Sequence, residues 1–148
     1  MAPPILLCTD GSEEALGALS AGVGLLGRHH DLLLVSVTDA PDEGSLVGSG
    51  HAGPDLSLDE YEDLVARAHE AAESAIASVR IELSLPDAEV RILSGEPGPA
   101  ICALAAEVSA EAIVMGSRGR GGLKRALLGS VSDHVVRHAP CSVVVTRI

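Results

Sequence analysis

Gly116-Ser-Arg-Gly-Arg-Gly-Gly-Leu-Lys-Arg-Ala-Leu-Leu-Gly-Ser130 is the stretch from which the rest of the chain is read. Before it, Ala112-Ile-Val-Met115 is a short apolar run of the kind that makes a buried strand. After it, Ser130 to His138 begins with a cap-type residue and places Val131 and Val135 four apart, which predicts a helix. The unit reads strand, long glycine-rich loop, helix amino terminus. A structureless loop of this length in a compact domain is usually functional or disordered.

Charge points to the same stretch. The 148-residue chain carries a net −11, with −16 in residues 1–115 and +5 in residues 116–148. The only lysine, Lys124, lies in the loop with Arg118, Arg120 and Arg125. Glycines let backbone N–H groups approach an anion and adopt positive φ. A helix starting at Ser130 adds unpaired amides and the positive end of its dipole. An anion site is therefore expected, with Gly129 and Ser130 offering a backbone donor and a hydroxyl. The plainer alternatives are a solvated linker and a fragment of an RNA-binding tract. Leu123, Leu127 and Leu128 are apolar anchors that a linker does not need, and a single copy without aromatics counts against RNA.

The glycine spacing from Gly116 through Gly119 to Gly129-Ser130 is G-x2-G-x9-G-S. It is not a Walker A loop, which requires Gly-Lys-Ser/Thr. It is not a dinucleotide fingerprint either, because Lys124 stands where the third glycine after Gly119 and Gly121 is needed. The pattern closely resembles the ATP-binding motif of the universal stress protein family. Ile5-Leu-Leu-Cys-Thr-Asp-Gly-Ser12 looks like that family's first strand and turn. Val114-Met-Gly-Ser-Arg-Gly119 and Ser132-Asp-His-Val-Val-Arg-His-Ala-Pro-Cys141 look like its last segments. Ser142 departs from the pattern, where proline is common, and so does the short, glycine-rich first helix.

Read in order, Pro4 to Thr9 is a central parallel strand, and Ser12 caps a helix with Glu13 and Glu14 in its first turn. Leu16, Leu19, Val23 and Leu26 form its buried stripe, and it ends near Gly27. Close packing on the sheet would account for Gly17, Gly22 and Gly24. Asp31 to Val37 is a second buried strand, and residues 38–55 read as a loop. A long amphipathic helix then buries Tyr61, Leu64, Val65, Ala68, Ala72, Ala75, Ile76, Val79 and Leu83, with a solvated acidic outer face. Ala88 to Leu93 alternates as a half-exposed strand. Gly95 to Pro99 leads into a helix with Ile101, Leu104, Ala105 and Val108, and Cys141 to Thr146 is the last strand.

Alternating strands and helices predict an α/β fold with an open five-stranded parallel sheet covered on both faces, residues 1–148 forming one domain. The resemblance implies the strand order 3-2-1-4-5 of the adenine nucleotide alpha hydrolase-like folds. In such sheets ligands bind beyond the carboxyl ends of the strands, where strand order reverses.

The resemblance implies a bound ATP, with magnesium an open companion. It places nucleotide contacts at Thr9 and Asp10 and a base pocket at Cys8 and Val37, with Met115 in the same set. Asp10 could accept hydrogen bonds from a ribose hydroxyl or an adenine amino group, or simply form an Asx turn before Gly11. Cys8 and Val37 could equally be ordinary core. Phosphate falls to Gly116, Gly119, Gly129 and Ser130, with the Val131 N–H as a further donor and Arg118 and Arg120 closing over the polyphosphate. Three or four charge-assisted hydrogen bonds of roughly 1.5–3 kcal/mol each suffice for micromolar affinity, about 8 kcal/mol, after losses to ordering.

Composition excludes several classes. With no Trp, no Phe and one Tyr, a base cannot be sandwiched between rings, and the stacking platforms of single-strand binders are missing. The acidity repels polyanions, so no nucleic-acid partner is expected. No apolar run approaches the roughly 20 residues of a membrane span, and the amino terminus lacks a signal-peptide pattern, so a cytoplasmic protein is expected. Cys8, Cys102 and Cys141, far apart in sequence and without a Cys-x-x-Cys pair, read as small buried thiols. His134 and His138 read as surface residues, too few for a zinc site. His29, His30 and His51 form no constellation.

These observations favour a nucleotide-dependent regulatory protein of the stress response, read by a partner protein. The alternative is a slow ATP hydrolase or phosphotransferase using the same pocket. No acidic residue stands out as a base beside the phosphates and no Walker lysine is present, so no catalytic residue is assigned. The last strand is an edge in the implied order and its Val143-Val144-Val145 row is apolar, so it needs cover. The resemblance suggests a homodimer through that strand.

Overall fold

The computed structural model describes residues 2–27, 29–38, 40–41, 56–118 and 128–147. Among these residues, five strands, β1 (Ile5–Cys8), β2 (Leu32–Thr38), β3 (Glu89–Ser94), β4 (Ala112–Gly116) and β5 (Ser142–Thr146), alternate with four helices. The helices are α1 (Glu13–Leu26), α2 (Leu58–Glu82), α3 (Pro97–Glu107) and α4 (Ser130–His138). All strand pairs are parallel, in the order β3-β2-β1-β4-β5. This is the expected order, and it reverses between β1 and β4.

Alternation along the strands divides the interior into two layers. On one face Leu6, Cys8, Leu33, Val35, Ile113 and Met115 pack under Ile101, Leu104 and Ala105 of α3 and Val135 of α4. On the other, Ile5, Leu7, Leu34, Ala112 and Val114 pack under Leu19 and Val23 of α1 and Ile76 and Val79 of α2. β1 is buried along its whole length because strands and helices cover it on every side. β3 alternates as an edge strand should, with Glu89, Arg91 and Ser94 exposed.

The caps explain where the helices start. Ser12 caps α1, its hydroxyl accepting from the Ala15 amide at 3.1 Å, and Gly27 ends that helix at φ 81°. Ser57 and Glu60 form a reciprocal capping box at α2, a signal legible as Ser-x-x-Glu but not used in the sequence reading.

Several sequence expectations need correction. Residue 130 does not cap α4; Gly129 is the cap, at φ −75° and ψ 170°, and Ser130 is the first helical residue. Leu64 is exposed, and Tyr61, Val65 and Ala68 are only half-buried, while full burial in α2 begins at Ala72. The reason is length: 25 residues of helix run about 37 Å, whereas the longest strand, of 7 residues, covers about 23 Å. The amino-terminal half of α2 overshoots the sheet. Of the glycines in α1, Gly22 does meet the sheet, since a Cβ there would overlap Cγ1 of Val114; Gly24 faces open space.

Candidate functional site

The register of β1 against β4 pairs Leu7 with Val114. Because the two strands are parallel, Thr9-Asp10, which follow β1, and Gly116-Ser117, at the end of β4, leave the sheet at the same edge, that of the strands' carboxyl ends. The amino terminus of α4 closes the same end. There Gly129 donates its amide to the Ser117 carbonyl at 2.6 Å. The end of β4 and the start of α4 therefore meet at Ser117, on the sheet edge where β1 also ends.

Local chemistry fixes each part. Thr9 is buried; its amide extends the ladder to the Val35 carbonyl at 2.9 Å, and its hydroxyl accepts from the Gly11 amide at 3.1 Å. Asp10 accepts at Oδ1 from the Ser12 amide at 2.9 Å and from the Ser12 hydroxyl at 2.6 Å. The Asx-turn geometry foreseen as one alternative is thus present, tying the β1 turn to the α1 cap. Gly116 lets the chain turn close against α1: a Cβ would sit 3.3 Å from the Ala18 methyl and 3.4 Å from the Arg118 carbonyl.

Cys8 and Met115 belong to a single apolar cluster, and the partly buried Val37 and Val131 pack against it. Four sequence-predicted residues from β1, β2, β4 and α4 thus lie in or against the same core layer, as does Leu93 of β3. No aromatic ring contributes to it. Cys102 and Cys141 join the same cluster, so three thiols distant in sequence converge. Only Cys8 is fully buried; Cys102 and Cys141 are half-buried, against the expectation of three buried thiols. Burial pushes the Cys8 thiol up to about 12, with Cys102 and Cys141 adding to the effect. Burial also raises Cys102 and Cys141. A thiol held neutral in this way is a weak nucleophile.

At the start of α4, Gly129 N–H is engaged by Ser117, and among the described residues no side chain caps the turn. The next amides, Ser130 and Val131, lie in the first turn, where a helix supplies no acceptor. Ser130 and Arg118 are exposed. Gly119, Arg120, Lys124 and Arg125, and the apolar anchors Leu123 and Leu127, lie outside the described residues.

Ser117 and Ser132 were missed from sequence. Ser132 is 2% exposed and its hydroxyl bridges the carbonyls of Ser117 (3.0 Å) and Gly129 (3.1 Å). The available signal was a serine three residues after the helix-capping glycine, where a side chain can turn back on the cap. His134 is likewise more than a surface residue. Its ring stacks on His138 at 4.2 Å and sits so close to α3 that a Cβ on Gly98 would lie 2.8 Å from it.

A doubly wound parallel sheet, with a helix amino terminus and a glycine turn meeting at its switch point, defines the class of α/β proteins that receive ligands at that crevice. Within that class the chain belongs to the universal stress protein family, whose pattern matches residues 1–147. A putative universal stress protein of Staphylococcus aureus strain USA300 is 34% identical over 145 residues, 97% of this chain and 82% of that protein. The universal stress protein UspA of Lactobacillus plantarum superposes with a TM-score of 0.76 at 28% identity, covering 98% of this chain and 97% of that one. The Archaeoglobus fulgidus universal stress protein in complex with dAMP has the same fold, with a TM-score of 0.56, 21% identity and 98% coverage of each chain. Other solved family members hold cAMP or AMP. Among the described residues, no helix is long and apolar enough to cross a membrane.

Proposed function

We propose that this protein binds ATP in the crevice between the carboxyl ends of β1 and β4 and acts as a cytoplasmic, nucleotide-dependent regulator. The base rests on the aliphatic patch of Cys8, Val37 and Met115. Thr9 and Asp10 line its rim near the ribose. The phosphates run toward Gly116, Ser130 and the Val131 amide, with Gly129 leaving room for the turn, and Arg118, Gly119 and Arg120 belong to the same phosphate side. The observation that supports this reading is the docking of the α4 amino terminus on Ser117, at the edge of the sheet where β1 and β4 both end and strand order reverses. The adenine nucleotides held by other family members support it. The regulatory output falls to a partner protein, and β5 pairs with its counterpart in a second subunit.

Isothermal calorimetry with ATP, with and without magnesium, and native mass spectrometry of freshly purified protein test the binding. Micromolar ATP binding is expected, and its loss in the variant Gly129→Asp/Ser130→Asp, in which acidic side chains occupy the cradle. An unchanged affinity in that variant would refute the assignment. Phosphate release above roughly one turnover per second would favour the hydrolase reading over a binder.

A further inference from the structure

We infer that Ser132 is a positioning residue for the phosphate cradle, its buried hydroxyl fixing the first turn of α4 against the end of β4. The inference rests on the nucleotide reading above. The hydroxyl carries one proton and lies between two carbonyls, Ser117 at 3.0 Å and Gly129 at 3.1 Å, fifteen and three residues away in sequence. It therefore ties the cap of α4 to the residue following β4. The same Ser117 carbonyl accepts the Gly129 amide at 2.6 Å. Ser117 is anchored in turn, since its amide donates to the Thr146 carbonyl at 3.0 Å and extends the β4–β5 ladder. Thr146, at the end of β5, donates its hydroxyl to the Ala18 carbonyl of α1 at 2.6 Å. The α4 amino terminus is thus located relative to β4, β5 and α1 by a continuous set of hydrogen bonds, in which Ser132 supplies a side-chain link from α4.

Helix stability does not explain a serine here. Alanine is the better helix former, and a serine hydroxyl turned back onto a preceding carbonyl adds little to a helix. Nor does satisfying the backbone require it. The Ser117 carbonyl keeps the Gly129 amide, and the Gly129 carbonyl keeps the Asp133 amide at 2.9 Å. Ser132→Ala therefore leaves neither carbonyl unpaired and removes only the bridge. What the bridge adds is location: it limits how far the Ser130 and Val131 amides swing relative to Gly116. Amides that must meet a polyphosphate together lose affinity when their relative position loosens, whereas an adenosine moiety on the Cys8, Val37 and Met115 patch does not touch them.

The test compares ATP and adenosine on the full chain by calorimetry, with adenosine followed by NMR where its binding is weak. Ser132→Ala is expected to weaken ATP about tenfold, the worth of one well-placed hydrogen bond, and to leave adenosine within about twofold. If the parent protein holds no ATP, the nucleotide reading fails and this inference with it. If the parent binds ATP and Ser132→Ala binds it equally well, the positioning role alone is overturned. Equal weakening toward both ligands also overturns it, since that is the result of a general loosening. Should the alanine variant not fold, Ser132→Thr, which keeps the hydroxyl, must retain the parent's preference for ATP over adenosine and Ser132→Cys must lose it. The reverse pattern overturns the proposal.

Discussion

Replacing Gly22 by alanine adds a single methyl group where α1 lies on β4, and the structure predicts a loss of stability where helix propensity alone predicts a gain. The added Cβ would overlap Cγ1 of Val114 and come within 3.8 Å of the Thr146 Cγ2. Val114 cannot step aside, because it is fully buried and its backbone is held between Leu7 of β1 and Val144 of β5. Helix α1 must shift outward or Val114 must leave its rotamer. Overpacking of this kind costs about 1–3 kcal/mol, against roughly 1 kcal/mol gained from replacing an interior helical glycine. The expected net loss is up to about 2 kcal/mol, or as much as some 6 °C in Tm for a chain of this size, and the close approach at Val114 puts it toward the upper end. Gly24, two residues on, provides the control: nothing lies within 4 Å of its would-be Cβ. Gly24→Ala should therefore keep the propensity gain and raise Tm by about 2–4 °C. In a Val114→Ala background the obstacle is gone, and Gly22→Ala should change sign and become stabilising. Calorimetric or urea unfolding of the four variants measures all of this. Stabilisation by Gly22→Ala in the parent, or equal effects at the two glycines, would refute the packing argument.

Two further predictions concern ionisation. The Cys8 thiol titrates near 9.0 when exposed but is pushed up to about 12 in the fold. Between those values the unfolded chain binds fewer protons than the native one, so stability should fall as pH rises from about 9 toward about 12, by at most ~1.4 kcal/mol per unit. Cys8→Ala should flatten that slope in urea titrations at about pH 8 and about pH 10, and an unchanged slope would remove Cys8 as its source. At α2, hydrogen bonds from the Ser57 amide and hydroxyl hold the Glu60 carboxyl below its ordinary 4.5. A lowered carboxylate contributes stability above that value and loses it as pH falls through the native one. Titration of the Glu60 carboxyl carbon by NMR should show its pKa rise toward the ordinary value in Ser57→Ala, and no movement would mean that the capping box does not form in solution.

What could be read from the sequence follows from the range over which each feature is determined. β1 and β4 are short apolar runs, and their burial on both faces is written in their own residues. The Gly129-Ser130 pair marks a helix start by local chemistry, although two adjacent cap-type residues left the cap one position in error. Strand order is a different matter: the pairing of Leu7 with Val114 joins residues more than a hundred positions apart, and the family resemblance supplied it where periodicity could not. The overshoot of α2 was hidden for a similar reason. Its apolar period continues through Leu64 and Val65, and nothing in those residues records that the sheet has already ended. Ser132 is the most instructive miss. In a helix reading it is one more small polar residue, and its burial and its bond to Ser117 exist only once β4 and α4 have been brought together.

The same argument explains why the candidate site lies where it does. At Ser117, which follows β4, β5 contributes one hydrogen bond through the Thr146 carbonyl and the start of α4 contributes two, from the Gly129 amide and the Ser132 hydroxyl, while α1 is held one bond further away through Thr146. A displacement of α4 relative to the sheet must break contacts to several elements at once. The first-turn amides of α4 are thus fixed by the fold itself before any ligand arrives, and preorganised donors bind an anion without having to be ordered by it. The glycines at 116 and 129 keep this junction narrow, since a Cβ at either would crowd a neighbouring backbone carbonyl, at 3.4 Å from Arg118 and 3.2 Å from Ser117. Pattern and geometry therefore have one cause: the motif is spaced so that its two ends, distant along the chain, can close on each other beside β1.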